Sequence, residues 1–221
     1  MSHIELIAGV GAGKSALAKC LKEHGFTHVP EIFETNPYLE KFHKNPFSCA
    51  PQFGMEMLKL HADRINTVAK DGEKQVFDFS MVTNEAYART WKQFGMFMLK
   101  RKEGAAYMQA CRDVRETTKK PALRIYLKLS AETQKERILK RGRELEKGTP
   151  KLFLSTLKKN LEKVMDTVDD GVPLLVIDAE KYDWVNSAED KKEVVRIIRE
   201  ALETTQKPQP SAKQRPQAPK P

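Results

Sequence analysis

A glycine-rich run near the start of the chain has the residue types and the spacing that phosphate binding requires. Residues 9–15 read Gly-Val-Gly-Ala-Gly-Lys-Ser, after the apolar run Ile4–Ala8 and before a helical pattern. Glycines allow backbone N–H groups to surround a phosphate, the lysine adds positive charge, and the serine hydroxyl is a ligand for Mg²⁺. The start of a helix also favours an anion. We therefore predict a P-loop that binds a nucleoside triphosphate through Gly9, Val10, Gly11, Ala12, Gly13, Lys14 and Ser15.

A second basic cluster lies far from this run in the sequence. Arg137 and Arg141 are four residues apart and so share a helix face, while Arg143 follows Gly142, a predicted mobile joint. Arginines stabilise the charge of a phosphoryl group in transfer, because the planar guanidinium grips two phosphate oxygens and stays charged. The cluster predicts phosphoryl transfer, and a solvated basic helix is the alternative.

Two acidic residues stand at the ends of predicted strands. Glu31 ends the segment Thr27–Glu31, and Asp78 lies near the end of Gln75–Phe79. The carboxyl ends of parallel strands face the ligand crevice of an α/β sheet, so both side chains are expected beside the P-loop. One carboxylate can hold Mg²⁺ and the other can take a proton from an acceptor hydroxyl. Simple solvated strand-end acids are the alternative.

Five apolar segments alternate with helical patterns and predict an α/β fold with a parallel sheet covered on both faces. These segments are Ile4–Ala8, Thr27–Glu31, Gln75–Phe79, Leu123–Leu129 and Pro173–Asp178. The stretch Thr83–Lys120 is helical in pattern, and its apolar side chains are predicted to pack in the core: Phe94, Met96, Phe97, Met98 and Leu99. Asp183–Thr205 predicts a final helix.

Composition limits the class of protein. The 221 residues carry a net charge of +9, but four basic residues and no acid lie in the proline-rich residues 206–221, which leaves +5 for residues 1–205. We predict one domain at 1–205 and a disordered basic tail at 206–221, and we expect no nucleic-acid partner. The sequence contains no apolar run near 18 residues, and its three cysteines are scattered. These features favour a cytoplasmic protein without a membrane span.

The order and spacing of several motifs resemble the deoxynucleoside kinases, above all the bacterial and phage deoxyadenosine/deoxyguanosine kinase-like branch. The resemblance covers roughly residues 3–185. It rests on the P-loop, on Val29-Pro30-Glu31, on Asn36-Pro37-Tyr38-Leu39 with Phe42-His43-Lys44-Asn45-Pro46, on the Asp78 strand, on Arg141-Gly142-Arg143-Glu144-Leu145-Glu146 and on Leu175-Val176-Ile177-Asp178.

The resemblance implies the P-loop nucleoside kinase fold with an arginine-bearing lid, and transfer of the γ-phosphoryl group of ATP, with Mg²⁺, to the 5′-hydroxyl of a deoxyribonucleoside. By position, Glu31 is the general base, Lys14 and Ser15 hold the donor phosphates and the metal, and Asp78 stands where the family has an acid. Arg137, Arg141 and Arg143 are the lid arginines, and Glu146 contacts the sugar 3′-hydroxyl. A homodimer is also implied.

Three positions depart from the family pattern. Phe79 stands where many relatives have an arginine, and His43 stands where the family usually has a tyrosine that touches the sugar. Gln52 is nearest to the glutamine that reads the base, but ungapped alignment places Gly54 there. The preferred base is therefore left open by the sequence, with a purine favoured by the branch.

Two alternatives remain at this point. A nucleoside monophosphate kinase of the same fold would need further arginines near the second and third strands, where Arg64 and Arg89 are available outside any recognisable motif. A P-loop protein without enzymatic activity is the other alternative, and it is favoured by Ala8 in place of the first P-loop glycine and by Phe79.

Overall fold

The computed structural model describes residues 3–206. Its strands are β1 (Ile4–Ile7), β2 (Thr27–Val29), β3 (Gln75–Phe77), β4 (Leu123–Lys128) and β5 (Leu174–Asp178). Its helices are α1 (Lys14–Glu23), α2 (Leu39–Lys44), α3 (Ala50–Val68), α4 (Met81–Gln93), α5 (Arg101–Thr117), α6 (Ala131–Arg141), α7 (Glu144–Lys147), α8 (Lys151–Thr167) and α9 (Ala188–Gln206). Apart from Gln206, which ends α9, the predicted basic tail lies outside the described residues.

The five strands form one parallel sheet in the order β2-β3-β1-β4-β5. Parallel neighbours require crossover connections, and helices supply these crossovers along the chain. The predicted five-stranded parallel sheet flanked by helices is confirmed. However, β2 and β3 end two residues earlier than the predicted segments, at Val29 and Phe77. Glu31 and Asp78 therefore lie in the loops just beyond the strands, at the same edge of the sheet.

Helices cover both faces of the sheet because successive residues of a strand point to opposite sides. Leu6 of β1 packs with Leu21 of α1 and Ile198 of α9. The next residue, Ile7, packs with Val82 of α4 and Leu161 of α8. The P-loop follows β1 directly, so it emerges from the centre of a sheet buried on both faces.

The predicted helical stretch Thr83–Lys120 is in fact two helices, α4 and α5. The chain turns between them at Gly95, whose φ of 73° favours glycine. Phe97 is buried against α5, where a Cβ on Gly104 would lie 2.5 Å from its ring. The prediction that the whole apolar set is buried is wrong for Met98 and Leu99, which are 66% and 77% exposed because they lie in the turn.

The last helix begins at Ala188, five residues later than predicted. Asp183 stops the helix from extending backwards, because its carboxylate accepts hydrogen bonds from the backbone N–H groups of Val185 and Asn186 in a turn. Within residues 3–206, no helix combines the length and apolar character needed to cross a lipid bilayer.

Candidate active site

The glycine-rich run forms a tight loop between β1 and α1. Gly11 and Gly13 have φ angles of 79° and 91°, in the left-handed region that side chains disfavour. A Cβ on Gly11 would lie 2.8 Å from the side chain of Ile138, so the loop packs closely on α6. Gly13 precedes the first residue of α1, and this arrangement brings the start of the helix to the loop, as the sequence predicts.

The ammonium group of Lys14 lies across its own loop. Its Nζ atom donates to the carbonyl oxygens of Ala8, at 3.0 Å, and Gly9, at 3.2 Å. Burial lowers the pKa of Lys14, while the negative charges of Glu31 and Asp78 oppose this effect. The lysine is therefore close to both predicted carboxylates, and a bound phosphate would compete with the two carbonyl groups for it.

Arg137 contacts the P-loop and the end of β5 in this structure. Its guanidinium donates to the carbonyl oxygens of Ala12, at 3.3 Å, and Ala179, at 2.7 Å, so it joins α6 to the loop and to the end of β5. Gln134, one turn earlier on α6, donates to the carbonyl of Val10 at 3.2 Å. These contacts place the Arg137 side chain against the backbone of the P-loop, and its grouping with the lid arginines stays a prediction.

The lid lies at the C-terminal end of α6 and in α7, joined through Gly142, which has a φ of 73°. Both Arg141 and Arg143 pair with Glu146: Arg141 donates to Oε2, and Arg143 lies 3.4 Å from Oε1. Arg141 and Glu146 also act electrostatically on Lys14. Arg141 and Arg143 therefore share one carboxylate partner, and Arg141 lies close enough to Lys14 to act on its charge.

Asp78 holds the backbone that carries Glu31. Its Oδ1 atom accepts a hydrogen bond of 2.5 Å from the Glu31 backbone N–H, and its Oδ2 atom lies 3.2 Å from Nε2 of His28. Asp78 is buried, at 4% exposure. The structure thus brings the two acids of the sequence prediction together and connects them through a main-chain hydrogen bond.

The Glu31 carboxylate is partly open to solvent, with 34% of its side chain exposed. Its Oε1 atom is 3.0 Å from Nε2 of His61, and Nδ1 of the same ring is 3.0 Å from the amide nitrogen of Asn84. Burial raises the pKa of Glu31, but the His61 hydrogen bond, the electrostatic interaction with that ring and the charge of Lys14 lower it below its ordinary value. Glu31 is therefore an accessible carboxylate that stays ionised at neutral pH.

Tyr87 of α4 completes the polar surroundings. Its hydroxyl group makes a hydrogen bond with the backbone of Val10, and burial together with the charges of Glu31 and Glu146 raises its pKa. The phenol remains neutral at physiological pH. Tyr87 is thus close to the P-loop, Glu31 and Glu146, and its hydroxyl can donate or accept a hydrogen bond there.

His43 and Gln52 are not brought to this cluster by the contacts in the structure. His43 is exposed on α2, with its ring 6.1 Å from that of Phe42. The Gln52 amide, oriented to satisfy both its atoms, donates to the Cys49 carbonyl at 3.3 Å and accepts from Lys100 Nζ at 2.8 Å. Their assignment to substrate binding stays a prediction.

Gly54 lies where two large aromatic side chains meet. A Cβ at this position would be 2.5 Å from the ring of Tyr107 and 2.8 Å from that of Trp91. Tyr107 also donates its hydroxyl hydrogen to the backbone carbonyl of Asn84 at 3.2 Å. The family resemblance implies a glutamine that contacts the base at this position. The rings of Tyr107 and Trp91 occupy the space that its side chain would need, so this packing has no room for a residue larger than glycine.

The oxygen atoms predicted to hold Mg²⁺ come from Ser15 and Asp78. Ser15 is exposed in the first turn of α1. Asp78 is close enough to Lys14 for its negative charge to raise the pKa of that lysine. Hard oxygen donors suit Mg²⁺, which keeps several waters and phosphate oxygens in its shell and needs few protein ligands. In the part of the chain that the structure describes, three or more His, Cys, Asp or Glu side chains nowhere gather as a metal site.

Four residues of the site belong to no motif in the sequence: His28, His61, Asn84 and Tyr87. Asn84 and Tyr87 lie four and seven residues after Ser80, which caps α4, so helical periodicity starting there would have placed them on one face. His61 had no comparable signal, because its meeting with Glu31 depends on how α3 packs against the loop after β2.

Comparison with known proteins agrees with this geometry. The family model for deoxynucleoside kinase matches residues 6–203, and the chain belongs to the deoxynucleoside kinase family. It is 28% identical to the deoxyguanosine kinase of Bacillus subtilis (strain 168) over 201 residues, which cover 87% of this chain and 94% of that protein. It is also 28% identical to a deoxyadenosine kinase of Lactobacillus acidophilus, with 91% and 97% covered.

The fold is similar to that of a solved deoxyadenosine kinase from M. mycoides with bound dATP. The TM-score is 0.75 at 25% identity, and the match covers 89% of this chain and 99% of that one. The chain is therefore an ATP-dependent phosphotransferase that acts on deoxynucleosides. This finding excludes the P-loop protein without enzymatic activity.

Proposed function

We propose that this enzyme transfers the γ-phosphoryl group of ATP to the 5′-hydroxyl of a purine deoxyribonucleoside. The observation that carries the proposal is the Glu31 carboxylate, which is 34% exposed, hydrogen-bonded to His61 and close to Lys14. A sugar hydroxyl is a weak nucleophile at neutral pH, and an ionised carboxylate beside it can accept its proton. Glu31 is the proton acceptor, and the P-loop holds the donor.

The basic residues of the P-loop and the lid bind the donor phosphates. Lys14 leaves its two loop carbonyls and contacts the outer donor phosphates, where its charge offsets that of the transferred group. Arg141 and Arg143 leave Glu146 and stabilise the charge that develops during transfer. Glu146 is then free to accept a hydrogen bond from the sugar 3′-hydroxyl. The ion pairs of the lid thus exchange partners when both substrates are bound.

Ser15 and Asp78 are the proposed protein ligands of Mg²⁺. The Asp78 carboxylate already holds the Glu31 backbone N–H through Oδ1 and faces His28 through Oδ2. Each carboxylate oxygen has two lone pairs, so these contacts leave acceptor capacity for a metal-bound water. When bound, the ion neutralises charge on the donor phosphates.

The proposed acceptor is a nucleoside and not a nucleoside monophosphate, and the family membership is the main support for this choice. A monophosphate acceptor needs free arginines near β2 and β3. Arg89 is committed to the buried Glu85, with an N–O distance of 2.8 Å, whereas the Nε atom of Arg64 has no hydrogen-bond partner, so the acceptor has to be tested directly. The purine preference is supported by the names of the relatives, which include deoxyguanosine and deoxyadenosine kinases.

The test is a panel of the four deoxynucleosides and their 5′-monophosphates, each incubated with ATP and Mg²⁺ and scored for ADP release and for the phosphorylated product. We expect turnover of deoxyguanosine or deoxyadenosine to exceed that of the pyrimidines, with 5′-monophosphate as product. The Lys14→Ala variant is the control for contaminating kinases. Phosphorylation of the monophosphates alone would overturn the proposed acceptor.

We further propose a cytoplasmic homodimer. A cytoplasmic location supplies ATP, and it suits three unpaired cysteines that are all buried thiols, Cys20, Cys49 and Cys111. The homodimer is supported by the resemblance and by the exposed apolar side chains of Met98 and Leu99. Light scattering on the purified chain measures its mass, and a monomer at micromolar concentration would contradict the dimer.

A further inference from the structure

The proposed base is one end of a chain of three side chains. His61 lies between Glu31 and Asn84, with a contact of 3.0 Å on each side. The ring of Phe79 stacks on that of His61, with centroids 4.5 Å apart and planes 19° from parallel. His61 and Asn84 are both 5% exposed, so the imidazole is fixed by protein groups at both nitrogens and on one face.

The partner on the far side of the ring determines which nitrogen carries the hydrogen. The amide nitrogen of Asn84 can only donate, so Nδ1 of His61 must accept. The hydrogen of the neutral imidazole is then on Nε2, where it is donated to Oε1 of Glu31. Asn84 therefore fixes the ring in the form that binds a carboxylate.

Glu31 needs such a partner because of where it lies in the chain. It belongs to the loop after β2, and only its backbone N–H is held by Asp78. A base must be held close to the hydroxyl that it deprotonates, and misplacement by about 1 Å can cost roughly 100-fold in rate. His61 is on α3, a helix of 19 residues, and thus offers the carboxylate a rigid anchor.

We propose that His61 is a positioning residue that, held by Asn84 and Phe79, binds one oxygen of the Glu31 carboxylate and leaves the other for the acceptor hydroxyl. This inference rests on the proposed function, because it gives His61 a role only if Glu31 is the base. In this role His61 acts through Glu31 and does not itself take the proton.

The experiment compares two amides at position 61. The amide nitrogen of glutamine reaches about as far from the backbone as Nε2 of histidine, whereas that of asparagine reaches only to the place of Nδ1. His61→Gln thus keeps a donor for Glu31, and His61→Asn removes it. We expect His61→Asn to lower kcat by about 10- to 100-fold with little change in the KM for ATP, and His61→Gln to recover most of that loss.

A double-mutant cycle separates positioning from stability. If His61 acts through Glu31, adding His61→Asn to a Glu31→Gln enzyme should lower kcat by less than about 3-fold, although it lowers kcat much more in the wild type. His24→Asn is the matched control, since the His24 ring contacts the Cys20 carbonyl of α1 and its backbone contacts with Leu21 and Arg199 are kept in the variant. Thermal unfolding of every variant shows whether a lost fold explains a lost rate.

The outcomes are distinct. Equal losses in the wild-type and Glu31→Gln backgrounds, or equal kcat values for the Asn and Gln variants, would overturn the positioning role of His61. A wild-type enzyme that phosphorylates no deoxynucleoside would instead overturn the proposed function.

Discussion

Glu85 of α4 forms ion pairs that link α4 to α5. Its replacement by glutamine tests how much these ion pairs contribute to stability. The side chain is 2% exposed. Arg89 of α4 donates to Oε1 at 2.8 Å, and Arg115 of α5 donates to Oε2 at 2.8 Å. Since Asn84 precedes Glu85, the same turn of α4 also carries the contact to His61.

The expected loss follows from the burial of these partners. Removing one member of a buried ion pair costs about 3–5 kcal/mol, because the other charge is left without compensation. Arg115 is 13% exposed, but Arg89 is 29% exposed and Arg112, 3.6 Å away, is 42% exposed, so water screens part of the loss. We expect Glu85→Gln to lower the free energy of unfolding by about 2–3 kcal/mol and Tm by about 5–10 °C.

The pH dependence of this loss has a definite sign. Burial raises the pKa of Glu85, but the hydrogen bonds and charges of Arg115 and Arg89 lower it below its ordinary value of 4.5. A carboxyl group with a lowered pKa in the folded state stabilises the fold above its unfolded pKa and loses this contribution as the pH falls through the folded pKa. The difference between wild type and Glu85→Gln should thus be constant near neutrality and shrink below pH 4.5.

Urea unfolding at several pH values measures this difference. Glu193→Gln is the control, because Glu193 pairs with Arg196 on an exposed face of α9 and no measurable change is expected there. A stabilising role of the Glu85 ion pairs would be refuted if Glu85→Gln were as stable as the wild type at pH 7, or if the difference in the free energy of unfolding grew on acidification.

Three further predictions concern catalysis. Lys14→Ala should abolish phosphoryl transfer without changing the circular dichroism spectrum, and an unchanged kcat would contradict the P-loop assignment. Arg141→Ala should lower kcat by roughly 10²- to 10³-fold with a smaller effect on the KM of the nucleoside; a rise in KM alone would make the residue a binding group. Glu31→Gln should lower kcat by about 100-fold or more while calorimetry shows nearly unchanged ATP affinity, and a near wild-type rate would remove Glu31 as the base.

The fold was predictable because its signals are local. Each strand lies within an apolar run, and the P-loop glycines mark the turn from β1 to α1. The predictions that were wrong concerned the ends of helices, which depend on turns and caps. Gly95 breaks the helical pattern into α4 and α5, and the Asp183 carboxylate delays the start of α9. The periodicity of apolar residues does not reveal such interruptions, because each depends on the backbone conformation or the side-chain hydrogen bond of a single residue.

The site was predictable only where the spacing of a motif carries its chemistry. Gly13, Lys14, Glu31 and the lid arginines follow from such spacing. The backbone oxygens that Arg137 binds and the imidazole that Glu31 meets come from elements distant in sequence, α6 with β5 and α3 with β2. Their contacts depend on tertiary packing, which neither residue type nor periodicity determines.

The packing around Gly54 limits the routes by which this enzyme could evolve a different specificity. A larger residue at position 54 becomes possible only after Tyr107 moves or is replaced by a smaller residue, since its ring would lie 2.5 Å from the new Cβ. Tyr107 is also hydrogen-bonded to the backbone of Asn84, whose side chain contacts His61. A first mutational step toward a new base would therefore disturb the support of Glu31, the proposed proton acceptor, so selection for specificity and for rate would act against each other along this path.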